Sequence, residues 1–375
     1  MKKFLALILT LALICSAGIL SVAVAETADP EPFTIGIPWS TSNTDPTWVS
    51  ITNIITAAVE AAGGTPIFVE TDLTADGLIN NVTELISRDV DGILFMPASD
   101  SMLPAVDALC SEAGVYWGTF FRTISDDAIR EAVYASEWYA GACYEDDEAC
   151  AANLVKTMAD MGVTNLGVVN IAKGDTSSDL RDAGTVRGAE ENGVTILNTT
   201  YGITVTTDMT KTIESYIAAY PEMDGVLLLG TYCADATATI LKSLSDHDLA
   251  GKVKYGRIDC EAGMGDYIDQ DMLHVVYGCQ QQIDPLIGAV ILVNKVIGTP
   301  IVEDGPTVII TPYLPVTTSQ EAADFTTYFL DSNIYNPDEI AETMIKFYNS
   351  DVNLDYMNEL LANFSIEEVK TRHAQ

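Results

Sequence analysis

The sequence predicts an α/β protein of two doubly wound, mainly parallel-sheet lobes, followed by a helical C-terminal tail. Three observations support this fold class. Short β-rich runs alternate with amphipathic stretches of helical length, which is typical of parallel sheets covered by helices on both faces. The alternation comes in two successive series. Beyond Asn336-Pro337 the apolar residues follow a helical period only.

The first series predicts four strands separated by three helices. The helices end at glycines, such as Gly63-Gly64 and Gly114, and glycine readily takes the left-handed conformation that closes a helix. The predicted strands are Phe33–Ile37, Thr65–Val69, Gly92–Met96 and Val115–Thr119, and the predicted helices are Val49–Ala62, Ala75–Arg88 and Met102–Ala113.

The second series follows Cys143 and repeats this pattern. Its predicted strands are Leu166–Asn170, Thr195–Thr199, Gly225–Leu229, Val253–Ile258 and His274–Gly278, and its predicted helices are Asp147–Met161, Asp208–Ala219, Ala234–Ser245 and Met264–Gln270. Two acidic stretches are not predicted to bind metal. Tyr144–Glu148 is interpreted as a solvated helix start, and Asp175–Asp182 as a polar loop, since it lacks the central glycine and final glutamate of a calcium loop.

The last part of the chain adds a helix at Ile283–Ile297 and extended pieces at Thr307–Thr311 and Tyr313–Val316. The tail from Pro337 to Lys370 carries apolar stripes at helical spacing, and we expect it to pack on the outside of the body. In doubly wound sheets a ligand binds beyond the carboxyl ends of the strands. The loops after the predicted strands are therefore where binding residues are expected.

The N-terminus has the three parts of a secretory signal peptide: Met1-Lys2-Lys3, an apolar run to Leu20, and Ala23-Val24-Ala25. We interpret residues 1–25 as this peptide and expect an exported mature protein. The formal net charge of −36 excludes binding to nucleic acid or an anionic membrane surface, because such binding depends on Lys and Arg neutralising phosphates. The acidity and the missing helix-turn-helix also exclude a transcriptional repressor.

The cysteines of the mature part allow two interpretations. Their even number in an exported protein permits disulfides, with Cys143 and Cys150 nearest in sequence, but buried free thiols explain them equally well. No Cys-x-x-Cys is present and the histidines are scattered, so no metal site is expected. The cysteines concerned are Cys110, Cys143, Cys150, Cys233, Cys260 and Cys279.

Common enzyme signatures are absent from the sequence. It contains no Gly-x-x-x-x-Gly-Lys-Ser/Thr, Gly-x-Ser-x-Gly or His-Glu-x-x-His, and Gly263-Met-Gly265 lacks the third glycine of a dinucleotide fingerprint. We therefore expect no catalytic residues and no cofactor. An enzyme whose triad assembles from distant residues remains a rival hypothesis.

Aromatic and hydrogen-bonding residues are concentrated in the loops after the first and fourth strands. Trp39, Asn43 and Trp48 follow the first, and Phe121 and Arg122 the fourth. Aromatic rings stack on the apolar faces of a sugar, while amides, carboxylates and guanidinium groups bond its hydroxyls. This mixture favours a polyol ligand.

Four segments of the chain carry motifs in an order that one protein family shares. Asn43–Trp48 is similar to an Asn-x-Pro-x-aromatic loop, with one extra residue before the proline, and Asp91–Pro97 to an Asp-Ala/Gly-Ile-x-x-x-Pro strand. Gly114–Arg122 can be laid along a Gly-Ile-Pro-Val-Val-x-x-Asp-Arg segment without a gap, and Arg181–Gly184 resembles Arg-x-x-Gly. Through these motifs the chain resembles, from Phe33 to Val316, the type I periplasmic solute-binding proteins of the ribose- and galactose-binding family.

One further segment resembles the family, and three positions differ from it. Gln280–Gln282 with Gly288 resembles the family's hinge and pocket segment Gln-x-Pro-x-x-x-Gly. Phe121 stands where the family has an aspartate, Cys233 with Ala234 where it has Asn-Asp, and Asp259 lies one place off its Gly-x-Asp register. The ligand-binding residues that the resemblance and the loops together imply are Trp39, Asn43, Trp48, Phe121, Arg122, Arg181, Cys233, Asp259 and Gln282.

The resemblance also implies how the chain is organised and what it does. The lobes would be joined by a hinge of three crossings, near Ser136, Ile283 and Thr311. The implied bounds are 33–136 with 283–311 for the first lobe, 137–282 with 312–335 for the second, and 336–375 for the tail. The implied protein is a monomer that closes around a small polar ligand, a sugar foremost, for an ABC transporter permease. The alternative is the same fold binding a nucleoside, modified sugar or signalling molecule for a membrane sensor.

Overall fold

The computed structural model describes residues 29–374, so the predicted signal peptide lies outside the described residues. The predicted α/β fold class is confirmed, because two six-stranded sheets with helices on their faces form the molecule from Pro32 onward. The strands are β1 (Thr34–Pro38), β2 (Thr65–Val69), β3 (Gly92–Phe95), β4 (Tyr116–Phe120), β5 (Tyr139–Glu145), β6 (Asn165–Asn170), β7 (Thr195–Tyr201), β8 (Gly225–Leu228), β9 (Lys254–Ile258), β10 (Val275–Gly278), β11 (Thr307–Thr311) and β12 (Leu314–Val316).

The two sheets share one strand order. The first is β11-β5-β4-β3-β1-β2 and is parallel throughout, and the second is β12-β10-β9-β8-β6-β7, with only β12 antiparallel. Each thus has the 2-1-3-4-5 order of a doubly wound sheet with one strand added at the edge. The central strands β3 and β8 are buried at every position, as expected for strands covered on both faces.

Helices connect the strands, and most begin at a polar cap. Thr74, Asp126, Asp146 and Asp175 each accept a backbone N–H of the following first turn. No helix among residues 29–374 has both the length and the apolar character needed to cross a membrane. The helices are α1 (Pro46–Glu60), α2 (Ala75–Ile86), α3 (Leu103–Ala113), α4 (Asp127–Tyr134), α5 (Asp147–Asp160), α6 (Thr176–Asn192), α7 (Thr206–Ala219), α8 (Ala236–Asp246), α9 (Met264–Asp269), α10 (Gln280–Val296), α11 (Ser319–Phe325), α12 (Pro337–Met344), α13 (Leu354–Ala362) and α14 (Ile366–His373).

The two acidic stretches differ from their interpretation. Residues 175–182 are no loop, because Asp175 caps α6, which then runs for 17 residues. In the other stretch Glu145 and Asp147 are buried, although a solvated helix start was expected there. Hydrophobic periodicity in the sequence reveals neither the helix in the first stretch nor the burial of the two acids in the second.

The first crossing lies later than predicted. Residues 137–145 were assigned to the second lobe without a predicted strand, but residues 139–145 form β5, which pairs with β4 and β11 in the first sheet. The chain therefore leaves the first lobe after Glu145 and not near Ser136. The chain passes between the two sheets again between β10 and α10 and between β11 and β12.

The C-terminal tail is helical, as predicted, and its apolar residues are part of the core. Helix α12 packs on α1 of the first lobe, while α11 packs on α9 of the second lobe and on α14. Ile340, Met344 and Met357 are fully buried in the same apolar cluster as α10. The tail is thus integrated with the body and is not only an external layer.

Candidate functional site

The three crossings between the lobes meet at the carboxyl ends of the two sheets. They pass through Glu145–Asp147, through Cys279–Gln280 and through Thr311–Leu314. The loop after β4 also reaches this place, since the hydroxyl of Ser177 in the second lobe lies 3.5 Å from the Phe121 carbonyl. This region, the interlobe junction, is where doubly wound sheets bind ligands.

Three strands end at the junction in residues with left-handed backbone. Phe121, Asp259 and Cys279, which directly follow β4, β9 and β10, have φ of 62°, 75° and 68°. A side chain in this conformation costs on the order of 1–3 kcal/mol, and such residues cluster at functional sites. The turns re-aim the chain at the strand ends, which places the side chains that follow at the junction.

Arg181 is the centre of the buried part of the junction. Its Nε donates to Asp147 Oδ1 at 2.7 Å, its Nη2 to the Tyr313 hydroxyl at 2.9 Å, and its Nη1 to the Leu229 carbonyl. The Tyr313 hydroxyl in turn donates to Asp147 at 2.7 Å. Burial opposes the charge on Arg181, but the carboxylate of Asp147 outweighs it and the pKa of Arg181 is raised well above its usual value.

The close packing of two helices fixes the position of Arg181. A Cβ at Gly184 would lie 2.0 Å from the Glu148 carbonyl oxygen, so only glycine lets α6 approach α5 at this point. Arg181 lies one turn before Gly184 on α6, and Asp147 begins α5. The Arg-x-x-Gly spacing noted in the sequence is therefore what sets the arginine against its carboxylate partner.

Arg122 forms the outer part of the junction and bridges the lobes. Its Nη2 lies 3.2 Å from Asp175 Oδ2 at the start of α6, and its Nη1 donates to the Phe121 carbonyl. The side chain of Tyr232, which is largely exposed, lies close enough to affect the pKa of Arg122. Arg122, Asp175 and Tyr232 are called the junction rim below.

A pair of buried carboxyl groups lies beside the Arg181 network. Asp284 is fully buried, and its carboxyl group lies near Glu145, the Cys143 thiol and the backbone N–H of Phe121, although neither carboxyl oxygen makes a hydrogen bond of good geometry. Burial and the negative charges of Asp284 and Asp147 raise the pKa of Glu145 well above its usual range, and burial raises the pKa of Asp284 to about 7. Glu145, Asp147, Arg181, Asp284 and Tyr313 are called the junction floor below.

The predicted aromatic residues of the first loop form a stack. The rings of Trp39 and Trp48 are 4.1 Å apart, and Trp39 also lies 5.8 Å from Phe120. Trp39 is buried, so it packs beneath Trp48 and only the latter is partly accessible. Asn43 accepts the backbone N–H of Asp45 at 3.0 Å, which caps the turn before α1.

The predicted residues of the second lobe lie in loops after its strands. Cys233 is buried, and its thiol donates to the Ala234 carbonyl at 3.2 Å. Asp259 accepts the amide of Gln280 at 2.7 Å and contributes to the raised pKa of Arg181. The structure therefore brings Asp259 to the Arg181 network, whereas Cys233 follows β8 and packs in the core.

Gln282 differs from its expected placement. Its amide nitrogen donates to the carbonyls of Phe329 and Ser332, and its carbonyl accepts the backbone N–H of Ile334. The side chain is committed to the C-terminal segment, because the first helical turn of α10 turns it away from the junction. Gln280, two residues earlier, is the glutamine that meets Asp259.

Sequence reasoning missed Glu145, Asp147, Asp284 and Tyr313 of the junction floor. One signal was available for Asp284, which is the single acid inside the apolar helix of residues 283–297. An unpaired charge in such a place is costly and is retained only where it has a partner or a function. Glu145 and Asp147 gave no comparable signal, because their neighbours Asp146 and Glu148 are also acidic.

The described residues contain neither a disulfide nor a cluster of metal-binding side chains. All six cysteines of residues 29–374 are buried and free, including Cys143 and Cys150. No group of His, Cys, Asp and Glu side chains in the described part of the chain could hold a metal ion.

A separate surface groove of about 380 Å³ lies between α1 and the start of the tail, with Asn53, Glu60 and Asn333 in its walls.

Two doubly wound lobes joined by three crossings, with polar groups of both lobes at the junction, define a two-lobed solute-binding protein. A family model described as a periplasmic binding protein domain matches residues 35–283, and the chain belongs to this family. The predicted family is thereby confirmed. No curated protein sequence is significantly similar to the chain.

Solved structures share the fold at low sequence identity. An ABC transporter solute-binding protein from Bacillus halodurans C-125 with bound myo-inositol is 16% identical, with a TM-score of 0.65 over 80% of this chain and 99% of its own. One from Agrobacterium vitis with α-D-tagatopyranose is 17% identical, with a TM-score of 0.65 over 80% and 99%. One from Actinobacillus succinogenes 130z with D-allose is 16% identical, with a TM-score of 0.65 over 78% and 100%.

Proposed function

We propose that this protein is an exported, non-catalytic binding protein that captures a sugar at the interlobe junction and delivers it to an ABC transporter permease. The observation that carries the proposal is the meeting of charged groups from both lobes at the carboxyl ends of two doubly wound sheets. Family membership supports it, since similar solved structures are ABC transporter solute-binding proteins with myo-inositol, tagatose or allose bound.

The junction suits a polyol in its chemistry. The rim offers the planar donors of Arg122 and the hydroxyl of Tyr232, and the floor offers carboxylate acceptors. Trp48 and Phe121 add partly accessible rings on which a sugar ring can stack. A ligand held by both lobes stabilises only the closed state, and this difference in affinity supplies the free energy of closure.

A thermal-shift screen tests this proposal. Residues 26–375 are screened against pentoses, hexoses, inositols, disaccharides, nucleosides and amino acids at millimolar concentration. Ligand that binds only the native state raises the unfolding midpoint. We expect a shift with a sugar or polyol that is lost in Arg122→Ala, whereas Arg187→Ala on the outer face of α6 keeps it. A screen in which only amino acids shift the midpoint contradicts a sugar ligand.

A second candidate function is capture of a nucleoside, modified sugar or signalling molecule for a membrane sensor. The observation that favours it is the exchange of a polar anchor for Phe121 at the end of β4. A flat apolar ligand would stack there more readily than a simple pentose. A shift with nucleosides in the same screen, together with a kinase gene and no permease gene beside the coding gene, would favour this candidate.

A further inference from the structure

The two carboxyl groups of Glu145 and Asp284 are buried without a cation partner. Glu145 is 4% exposed and Asp284 is fully buried. None of the ion pairs among residues 29–374 includes either residue. Buried carboxylates are normally paired or bonded, since desolvating an isolated charge is very unfavourable. This pair therefore lacks the cationic partner that buried carboxylates normally have.

The nearby guanidinium groups do not supply that counterpart. Arg181 donates to Asp147, to Tyr313 and to the Leu229 carbonyl, and neither Glu145 nor Asp284 is among these hydrogen-bond partners. It lowers the pKa of Glu145 only enough to offset part of the effect of burial. Arg122 pairs with Asp175 at the rim. No cation therefore faces the two carboxyl groups, and any negative charge that they carry is uncompensated.

Other polar atoms near the pair are also unsatisfied. Oγ1 of Thr311 and Oε1 of Gln280 have no hydrogen-bond partner, and both belong to buried residues. Thr311 and Asp284 both lie beside the Cys143 thiol, so the Thr311 hydroxyl and the Asp284 carboxyl group are close together. The Thr311 hydroxyl can donate one hydrogen bond, whereas the two carboxyl groups offer four acceptor oxygens, so a ligand group that satisfies them must bring several donors.

Asp284 lies where a ligand of the junction would arrive. It stands in the first turns of α10, beside the backbone N–H of Phe121 at the carboxyl end of β4. One turn later Gly288 lets α10 pack against this strand end, because a Cβ there would meet Phe120 at 3.1 Å. The pair is therefore directly beneath the loop that carries Arg122.

We propose that Asp284 and Glu145 form a subsite for a protonated amine of the ligand, so that the sugar carried by this protein is an amino sugar. The inference rests on the proposed function. An ammonium group supplies one positive charge and three donors, which matches an uncompensated charge surrounded by acceptors. A neutral hydroxyl supplies a single donor and leaves the charge in place.

The protonation of the pair adds a pH dependence to this binding. The raised pKa values mean that the pair holds a proton in the unliganded protein near neutral pH. The groups facing it are the Cys143 thiol, Asp147 and, at longer range, Arg181. An ammonium group must displace that proton, so affinity for an amine should rise as pH increases through about 7, until the amine itself loses its proton.

Calorimetric titration with matched sugars tests the subsite. Residues 26–375 are titrated at pH 6 and pH 8 with glucosamine, galactosamine and mannosamine, with glucose, galactose and mannose, and with the three N-acetyl derivatives. We expect one amine to bind at least about tenfold more tightly than its neutral and acetylated counterparts at pH 8. The preference should vanish in Asp284→Asn and in Glu145→Gln and persist in Asp269→Asn, an exposed acid of α9.

The outcomes separate this inference from the proposed function. Equal affinity for an amine and its neutral counterpart, unchanged in Asp284→Asn, overturns the amine subsite but leaves sugar binding intact. Binding of none of the nine sugars overturns the amine subsite, and the thermal-shift screen then decides the proposed function separately. The pair is also overturned as one subsite if Asp284→Asn loses all sugar binding while Glu145→Gln keeps the preference for the amine. Circular dichroism confirms folding of each variant, and we expect Asp284→Asn to be at least as stable as the parent protein.

Discussion

The floor and the rim of the interlobe junction hold similar residue types in opposite physical states. On the floor the side chains of Arg181 and Asp147 are 6% and 3% exposed, and each has further partners. On the rim the side chains of Arg122 and Asp175 are 12% and 16% exposed, and they join residues of different lobes. Both are ion pairs, but only the rim pair must break if the lobes separate.

Because of this difference in exposure, the two ion pairs should have different roles. Breaking a buried pair by removing one partner leaves an uncompensated charge and is strongly destabilising. A more exposed pair contributes much less to folding because solvent screens it. The floor therefore holds the crossings in place, and the rim controls the balance between open and closed forms.

Replacement of Arg181 should have the largest effect of the changes considered. Arg181→Met leaves Asp147 buried without its cation, and we expect a loss of about 3–5 kcal/mol in the free energy of unfolding, measured with urea. Arg187→Met on the same helix is the matched control, since its pair with Glu148 is solvent-exposed. A similar loss in both variants would contradict a special role for the floor.

The acid pair should give the protein an unusual pH dependence. The folded-state pKa of Asp284 is raised by burial to about 7, so its contribution to stability is present at low pH and is lost as pH rises through this value. We expect the free energy of unfolding to fall by about 2–4 kcal/mol between pH 5 and pH 8. Asp284→Asn should flatten this decrease, whereas parallel curves for the two proteins would refute the assignment.

Gln282 lies in the first turn of α10 near Asp284 of the floor, but its side chain contacts the C-terminal segment instead. Gln282→Met leaves the carbonyls of Phe329 and Ser332 and the N–H of Ile334 without partners, and we expect a loss of about 1–3 kcal/mol. Ligand affinity should change less than about twofold, since the side chain faces the tail. Gln281→Met is the control, because the carbonyl oxygen of Gln281 has no partner to lose.

Replacement of Arg122 on the rim should change the stability of the protein least and its overall dimensions most. Arg122→Met should cost about 1 kcal/mol, because Asp175 still caps α6 by accepting the Ser178 N–H. Without the interlobe pair the unliganded protein should open more, which small-angle X-ray scattering would detect as a larger radius of gyration. An unchanged radius would mean that the rim does not hold the lobes together.

The sequence was sufficient for the fold because its pattern is local and repeated. Most strands and helices carry their own period and stop signal, as at Gly114, whose left-handed backbone closes α3 in the structure as expected. The family motif Arg181–Gly184 also led to the arginine that organises the floor. These features depend on neighbours in sequence, which single-sequence reasoning can evaluate.

The remaining site residues depend on contacts between distant parts of the chain. Asp147 and Tyr313 are 166 positions apart and meet only because two crossings run side by side. Trp39 looked like a pocket residue, yet the stacking of Trp48 above it makes it a packing residue. The helix at 176–192 was missed because its buried face carries small and polar residues such as Ser177, Ser178 and Thr185, so the sequence shows no apolar residues at helical spacing.

Hydrogen–deuterium exchange tests most directly whether the ligand binds at the interlobe junction. Residues 26–375 are compared with and without the sugar that gives the largest thermal shift. Binding there predicts slower exchange in the β4 loop around Phe121, at the start of α6 and at residues 279–284, with the outer faces of both lobes unchanged. Protection confined to the groove between α1 and the tail, near Asn53 and Asn333, would contradict the assignment.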